Sequence, residues 1–474
     1  MQIMTGVRDF GKIEYAEVDM DSFSVFVGNN NSGKTYMMQL IYGLRKNLRK
    51  YVHNYQSDHL AQIRKEADNG KVLLDAAMAK ELEKFLNEIL EKNKEKIVRS
   101  IFNENISIGR LYVKFLFDEE EKMEYLLFNS EEKKVLLDEI KKNLYMNEKR
   151  RQLVLENLND LSAEERNWYT ILIVNHIQKG RRETESVMST IALDEFQPFH
   201  IIIREMLKLF MVDSRRILFM PASRTGLLTL YKEYFAHKAD EAVQLLGGDN
   251  IENNDAVNIG LTQPVYEFIR FMQTFQSDLG AAKRNESLIC FMEKHLIEGK
   301  VYQNQGNQAL YQGKDTEKGI PLYLSSSMVN ELTPALYALQ SASQKDYLIW
   351  DEIETSLHPQ KQMELVRLLS RMSNHGVRLI VSTHSDTMAT KINNLCMLSY
   401  SKNLKEKQAE ILEKVGLEPE DLLQKRIHIY QFTNDESGKS HATELLYNEF
   451  TGYEFSQFHD SVSKLFQETK LIME

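Results

Sequence analysis

Apolar residues along the chain follow two different spacings, and these spacings separate strand-forming from helix-forming stretches. Residues 12–18 alternate polar and apolar side chains, which predicts a strand with one buried face. Residues 36–105 repeat apolar side chains at helical spacing. Mostly apolar runs of strand length occupy residues 23–27, 217–220, 347–350 and 377–381. Runs of this kind are typical of parallel strands buried on both faces, so the pattern predicts an α/β fold.

Two strands are predicted ahead of the first buried run. One starts at Ile3, and the other is the alternating stretch 12–18. Strands joined so closely along the chain pair most easily in antiparallel fashion. We therefore expect a small antiparallel layer beside the parallel strands, which makes the sheet a mixed one.

The middle of the chain has a different pattern. Apolar runs at residues 111–117 and 125–128 flank the acidic residues 118–121, which predicts a β-hairpin. We interpret residues 130–212 as helical again. A polar break at residues 247–254 interrupts a later stretch that we also interpret as helical.

The charge balance limits the kinds of partner. The chain has 474 residues and a formal net charge of −10, which argues against a protein that is basic over its whole surface. Local basic clusters remain candidates for contact with nucleic acid, although such clusters more often serve solubility. They are Lys149, Arg150 and Arg151, and a second group at residues 179–182.

Cysteine content and hydropathy exclude further classes. Cys290 and Cys396 are far apart and no Cys-x-x-Cys pair occurs, which excludes a cysteine zinc hook and disfavours a disulfide framework. No apolar run is long enough to span a membrane, and the N-terminus lacks the core of a signal peptide. We expect a cytoplasmic protein without a membrane partner.

A glycine-rich segment from Gly28 to Thr35 links the apolar run 23–27 to a helical stretch. Its sequence is Gly-Asn-Asn-Asn-Ser-Gly-Lys-Thr. Strand, glycine-rich turn and helix form the context of a phosphate-binding P-loop. Gly28 and Gly33 let successive main-chain N–H groups face one anion, and the helix N-terminus adds its positive end. The segment therefore predicts nucleotide binding.

Side chains of the same segment add charge and a metal ligand. Lys34 would reach the β- and γ-phosphates of ATP, and Thr35 would offer its hydroxyl to Mg²⁺. The other nucleotide-binding candidates are the neighbouring residues Asn30, Asn31, Ser32, Gly33 and Tyr36.

A later apolar run, residues 347–350, ends in two carboxylates. A P-loop needs a second strand whose terminal acid holds the metal, and Asp351 suits that role. Glu352 suits the general base that orients or deprotonates the attacking water. Because adjacent residues of a strand point to opposite faces, we expect the two side chains to diverge in this way.

Two further strand ends carry candidate side chains. The run 377–381 leads to His384, which can hydrogen-bond a γ-phosphate or the attacking water, although a lone histidine is more often structural. The run 217–220 leads to Arg224. Ligands bind at the carboxyl ends of parallel strands, so Arg224 is a candidate for the phosphate region or for a subunit boundary. A plain surface arginine is an equally good interpretation.

In their order along the chain, these segments resemble the motifs of the ABC-type ATPases. Walker A at residues 28–35, Walker B at 348–352, a Ser-Leu-His-Pro turn at 356–359 and the strand ending in His384 match the order in that family. The set resembles the branch with SMC, RecF and OLD-like ATPases rather than membrane transporters.

The resemblance also covers the signature motif of that family. Ser326 and Ser327 lie upstream of Walker B where the motif is expected, with Met328 in or next to the place of its usual glycine. In the family, this motif caps the γ-phosphate bound by the opposite subunit. The resemblance therefore implies a homodimer or higher homo-oligomer that forms through the ATPase heads.

The resemblance implies a domain plan as well. Residues 1–45 and 213–400 would form an α/β ABC ATPase head, whose mixed sheet has an antiparallel N-terminal layer. Residues 46–212 would be a largely helical insertion, and residues 401–474 a small C-terminal α/β subdomain.

The implied function is ATP hydrolysis with Mg²⁺. No pattern of the nuclease that accompanies OLD-like ATPases follows His384. The chain thus resembles the stand-alone ATPase subunits of bacterial anti-phage systems, PARIS-like among them, in which a sensor ATPase controls a separate nuclease or toxin. That step is an analogy with the family.

Two other functions stay open. One is a RecF- or SMC-like DNA-repair ATPase that acts on DNA directly, which a basic surface on residues 130–212 would favour. The other is a scaffold that nucleotide locks and that hardly hydrolyses ATP. A stoichiometric complex with a neighbouring gene's product would favour the effector-controlling ATPase instead.

Overall fold

The computed structural model describes most of the chain. The described residues are 2–52, 57–69, 71–116, 122–129, 167–178, 181–192, 198–213, 215–227, 260–304, 306, 308–343, 345–455 and 467–472. Lys149, Arg150 and Arg151 lie outside them, as do Lys179 and Gly180. The assignment of these basic clusters to nucleic acid therefore stays a prediction.

The described strands are named in chain order. They are β1 (Gln2–Phe10), β2 (Ile13–Asp19), β3 (Ser24–Gly28), β4 (Lys71–Leu74), β5 (Arg110–Leu116), β6 (Lys122–Asn129), β7 (Asn167–Gln178), β8 (Arg181–Ala192), β9 (Ile217–Met220), β10 (Gly299–Gln303), β11 (Ala309–Gly313), β12 (Ile320–Pro321), β13 (Tyr347–Trp350), β14 (Arg378–Ser382), β15 (His428–Asn434) and β16 (Ser440–Glu444).

The described α-helices are named in the same way. They are α1 (Lys34–Asn47), α2 (Ala61–Ala67), α3 (Ala76–Phe102), α4 (Pro198–Leu207), α5 (Gln263–Thr274), α6 (Leu279–Arg284), α7 (Glu286–Phe291), α8 (Ser327–Gln340), α9 (Pro359–Asn374), α10 (Asp386–Tyr400) and α11 (Gln408–Val415). Within the described ranges, no helix combines the length and the apolar composition needed to cross a membrane.

The chain divides into two compact units. The first consists of Met1–Gly6, Asn47–Lys94 and Arg110–Val212, and the second of Val7–Lys46, Glu95–Gly109 and Asp213–Glu474. Residues 401–474 thus belong to the same unit as the P-loop segment.

A nine-stranded mixed sheet confirms the predicted α/β class. Its strand order is β5-β1-β2-β16-β15-β3-β14-β13-β9. Between β2 and β9 in this order, the pairs β2–β16, β15–β3, β3–β14, β14–β13 and β13–β9 are parallel, and the pair β16–β15 is antiparallel. The mostly apolar runs seen in the sequence form the parallel part, where both faces of β3, β9 and β13 are buried.

Helices α9 and α10 each begin with a strong N-terminal signal, and both pack against this sheet. Pro359 is the first residue of α9, where its missing N–H costs no hydrogen bond. The Ser385 hydroxyl accepts the N–H of Met388 at 3.2 Å and caps α10. Leu365 and Ile392 then join the buried apolar cluster that also contains the strand residues. The cluster holds the strand ends in fixed positions.

The C-terminal strands correct one expectation. The sequence predicts a small α/β subdomain over residues 401–474, whereas β15 and β16 lie inside the nine-stranded sheet between β2 and β3. The side chain of Phe26 on β3 packs against Phe432 on β15, with ring centroids 5.0 Å apart. Strand partners that are distant along the chain cannot be identified from local spacing, so the sequence pattern gave no sign of this arrangement.

Two more expectations from the sequence are wrong in the first unit. Strands β5 and β6 do not form the predicted hairpin, because β5 pairs at the edge of the nine-stranded sheet and β6 lies between β4 and β7. The sequence around β7 and β8 was interpreted as helical, but both are long antiparallel strands. Residues 168–174 are mostly aromatic and β-branched, and such residues favour strands over helices.

Candidate functional site

The candidate site lies where the parallel strands of the second unit end. The main chains that leave these strands are joined by hydrogen bonds. The N–H of Thr383 donates to the carbonyl of Phe26 at 3.0 Å, and the N–H of Asp351 donates to the carbonyl of Met220 at 2.9 Å. The segments after β3, β13, β14 and β9 therefore meet at one edge, as expected for ligand sites of parallel sheets.

The glycine-rich turn needs its glycines for backbone shape and for space. Gly28 and Gly33 have φ values of +127° and +87°, a region that other residues avoid. A side chain at Gly28 would also collide with the neighbouring strand, since a Cβ atom would lie 2.0 Å from the Phe432 carbonyl oxygen. The strand, the turn and helix α1 thus have the geometry of a P-loop.

The predicted nucleotide-binding residues of the turn divide by exposure. Asn30, Asn31, Thr35 and Tyr36 are exposed, whereas Ser32 and Lys34 are buried. The Asn31 carbonyl accepts a hydrogen bond from Lys12 Nζ at 2.6 Å, which ties the turn to the preceding strand pair. The exposed ring of Tyr36 packs edge-on against Phe102.

Lys34 folds back over the turn. Its ammonium donates to the carbonyls of Asn29 and Gly28 at 2.7 and 3.1 Å and to Ser32 Oγ at 3.3 Å. Burial lowers the pKa of Lys34 to about 8, while the carboxylates of Asp351 and its neighbours oppose that shift. The cation is held by weak neutral acceptors, and a phosphate would replace them with a charge-assisted bond.

Thr35 and Asp351 meet at 2.7 Å although 316 positions separate them in the sequence. The Thr35 hydroxyl donates to Oδ2 of the Asp351 carboxylate. A hydroxyl and a carboxylate are hard oxygen ligands of the kind that Mg²⁺ takes alongside phosphate oxygens and water. The residues present therefore fit a Mg²⁺ ion.

Ser382, which the sequence analysis did not single out, connects the two acids. Its hydroxyl donates to Oδ1 of Asp351 and accepts the N–H of Glu352 at 2.8 Å. Ser382 is fully buried at the end of β14. The available signal in the sequence was a polar residue at the end of an apolar run, two positions before His384.

The backbone at Glu352 differs from the strand pleat predicted there. Strand β13 ends at Trp350, so both acids lie beyond it. Glu352 has φ of +45°, and this left-handed conformation turns the chain. Strained backbone of this kind clusters at functional sites, where the surrounding contacts enforce it.

The electrostatics around Glu352 suit a base. Burial raises the pKa of its carboxyl group, and the negative charges of Asp351 and Glu354 raise it further, against the opposing effect of Lys34. A carboxylate with a raised pKa accepts a proton more readily at neutral pH.

His384 lies beside the turn and the second strand end. Its main-chain N–H donates to Oε1 of Glu354 at 2.6 Å. Burial lowers the pKa of its imidazole, and the nearby Lys34 ammonium lowers it further. The ring is therefore neutral at pH 7, with one nitrogen able to donate and the other able to accept.

Arg224 is neither on the surface nor directed at solvent. Its side chain is fully buried and its Nε lies 2.7 Å from Oε2 of Glu331 on α8. Its Nη1 donates to the carbonyls of Asp351 and Pro221 at 2.7 and 2.8 Å. The alternative of a surface arginine is therefore wrong, and its guanidinium contacts groups within the chain. Glu331, an acid in an otherwise apolar stretch of helix, was not singled out from the sequence.

The two signature serines are placed differently from the other candidates. Ser326 and Ser327 are both exposed. Ser326 caps α8, and its hydroxyl accepts the N–H of Val329 at 3.4 Å. The structure thus brings Lys34, Thr35 and Asp351 together, while Ser326 and Ser327 stand at an exposed helix N-terminus, which suits binding of an anion.

Comparisons with solved structures give distant likenesses. A structure titled SmcHead bound to the C-winged helix domain of ScpA has 11% identity, with 94% of this chain and 97% of that chain covered, at a TM-score of 0.36. The Smc head domain from Pyrococcus furiosus with an extended coiled coil, bound to the C-terminal domain of ScpA, has 12% identity, 98% coverage of both chains and a TM-score of 0.36.

The SMC head domain from Thermotoga maritima has 11% identity, with 94% of this chain and all of that chain covered, at a TM-score of 0.34. Likenesses at this level support no argument about function. A search of curated proteins returned no match.

The sequence also matches a protein-family model. The family model described as an AAA ATPase domain matches residues 5–389, which include the glycine-rich turn, both acids and His384. The match covers well over half of the chain, and the P-loop geometry agrees with it. The chain belongs to the AAA ATPase domain family.

Proposed function

We propose that this protein binds ATP with Mg²⁺ and hydrolyses it, in the manner of ABC-type ATPases. One observation carries the proposal, namely the 2.7 Å contact between Thr35 Oγ1 and Asp351 Oδ2. It joins the glycine-rich turn to the acidic strand end, and both are required before a P-loop can support hydrolysis as well as binding.

The turn supplies the binding half of the reaction. N–H groups of residues 30–35 and the N-terminus of α1 would face the phosphates, and Lys34 would move from its carbonyl acceptors to the β- and γ-phosphates. Thr35 and Asp351 would hold Mg²⁺, whose chemical contribution is positive charge next to the phosphate oxygens.

Glu352 supplies the chemical half. Its carboxylate would accept a proton from, or orient, the water that attacks the γ-phosphate. Ser382 holds the main chain of Glu352 and the carboxylate of Asp351 at once, so the base and the metal ligand keep a fixed separation. The neutral His384 would donate a hydrogen bond to a γ-phosphate oxygen.

The site of one chain is incomplete without a second copy in this proposal. Ser326 and Ser327 would meet the γ-phosphate bound by another subunit, with their hydroxyls and the N-terminus of α8. A stable complex of two copies would then depend on the nucleotide.

The regulatory role is a finer part of the proposal. The resemblance to stand-alone ATPase subunits is the basis for an ATPase that controls a separate effector, and the same motifs suit a RecF-like ATPase that acts on DNA. Binding of the parent chain to DNA at low salt would favour the second role, because phosphate contacts depend steeply on salt. A stable complex with one partner protein would favour the first.

Glu352→Gln tests the catalytic assignment. The amide keeps the shape of the side chain but is no longer a base, so ATP should bind normally while phosphate release falls by roughly two to four orders of magnitude. Glu410→Gln is the matched control, because Glu410 is an exposed acid on α11.

The two measurements are ATP affinity by calorimetry and phosphate release at saturating ATP. Near-normal release by Glu352→Gln would remove Glu352 from the catalytic role. No release by the parent protein, despite bound ATP, would leave a nucleotide-binding protein without the proposed activity.

A further inference from the structure

Arg224 connects two parts of the second unit that the proposed reaction uses separately. On one side, its guanidinium donates to the main-chain carbonyls of Asp351, at 2.7 Å, and Glu352, at 3.3 Å. On the other, its Nε lies 2.7 Å from Oε2 of Glu331 in α8. The same side chain therefore contacts the segment with both acids and the helix that the signature serines begin.

Both oxygens of the Glu331 carboxylate on helix α8 have partners. Its side chain is 3% exposed, and its second oxygen accepts the N–H of Thr225 at 2.9 Å. Glu331 lies about one helical turn from Ser327, the first residue of α8. A displacement of the N-terminus of α8 would therefore move Glu331 and its partner Arg224 with it.

Arg224 also contacts Glu352, whose backbone is strained. Glu352 has φ of +45°, and a conformation of this kind persists only where the surrounding groups enforce it. Arg224 donates to the main-chain carbonyl of Glu352, and the Ser382 hydroxyl accepts the main-chain N–H of Glu352. The orientation of the Glu352 side chain depends on both.

We propose that Arg224 is a positioning residue that, through its pairing with Glu331, couples the position of the signature helix α8 to the orientation of the Glu352 carboxylate. The inference rests on the proposed function and deepens it. When a second subunit engages Ser326 and Ser327, the shift of α8 reaches the base along the path Glu331, Arg224 and the Glu352 main chain.

A purely structural ion pair is the competing explanation, and it has a different consequence. Replacing both members of a buried ion pair by apolar side chains of similar volume is often neutral for stability, whereas removing one member leaves an unpaired buried charge. The double variant Arg224→Met with Glu331→Leu should therefore fold better than either single variant. A structural role predicts that activity returns with folding, and a positioning role predicts that it does not.

The matched control is Arg367→Met. Arg367 is another buried arginine, and its ion-pair partners are Asp421, at 2.8 Å, and Glu364, at 2.9 Å. Arg224→Lys is the second test variant, since it keeps the positive charge next to Glu331 but has one nitrogen in place of three. The donors of lysine share one nitrogen, which cannot occupy the three separate positions from which the guanidinium nitrogens reach Glu331 and the carbonyls of Asp351 and Glu352.

The experiment measures ATP affinity, phosphate release at saturating ATP and the thermal midpoint for the parent and each variant. We expect the double variant and Arg224→Lys to bind ATP within about threefold of the parent and to release phosphate at least about tenfold more slowly. Arg367→Met should keep its phosphate release per folded molecule.

Two results would overturn the inference and they can be told apart. Parent-like phosphate release by a folded double variant or by folded Arg224→Lys would overturn the coupling role alone. No release by the parent protein would overturn the proposed function, and the inference with it.

Discussion

The edge of the parallel strands and the signature segment belong to the same unit but use their polar side chains in different ways. At the strand edge, the groups bond to one another, as Thr35 does to Asp351 and Ser382 does to Glu352. At the signature segment, Ser326 and Ser327 are exposed at the beginning of a helix.

This difference separates the part of the site that forms when one chain folds from the part that needs another molecule. Hydrogen bonds from Thr35 and Ser382 to Asp351 are already made within one chain, so under the proposed function the positions of the metal ligands are set without a partner. The exposed serines present donors and a helix dipole to the outside, where only another molecule can use them. Affinity for ATP should thus be a property of the single chain, and turnover a property of the assembly.

The largest effect on the affinity for ATP is expected at the binding half. Lys34→Ala removes the side-chain cation of the turn, and the affinity for ATP should fall by at least about a hundredfold, because a charge-assisted bond to phosphate is lost in a buried position. Calorimetry on the folded variant measures this.

Lys414→Ala is the control for that change, since Lys414 is 70% exposed on α11. Unchanged ATP affinity in Lys34→Ala would break the comparison, because the strand edge would then not be the nucleotide site.

A smaller effect is expected from pH. The buried Lys34 has a pKa of about 8, so its cation is present below that pH and is lost as the pH rises through it. The affinity for ATP should therefore be about fourfold weaker at pH 8.5 than at pH 7 if only the protonated form binds. Binding at pH 8.5 should also take up a proton, and calorimetry in two buffers with different ionisation enthalpies measures that uptake. Affinity that is flat over this range would show that Lys34 does not titrate there.

The parts of this site that follow from local sequence were predictable. Strand, glycine-rich turn and helix occur in sequence between residues 23 and 47, and the positive φ values of Gly28 and Gly33 agree with their role in the turn. The apolar runs before Asp351 and His384 likewise end as buried parallel strands.

Features that depend on distant partners were not predictable from spacing. The position of β15 beside β3 and the separation of β5 from β6 depend on which strands pair, and local periodicity contains no such information. The burial of Arg224 depends on Glu331, whose charge in an apolar helix was a signal only in combination with that arginine. The strand pleat predicted at Glu352 is absent, because the strand ends two residues earlier.

The most direct test of the central claim is the sedimentation of Glu352→Gln with and without ATP and Mg²⁺. Trapped ATP should hold two sites closed on each other through Ser326 and Ser327, so the variant should sediment as a larger species with ATP than without it. Adding Ser327→Arg, which places a bulky cation at the exposed helix start, should abolish the shift while ATP still binds. The same sedimentation with and without bound ATP would contradict the claim that a second copy completes the site.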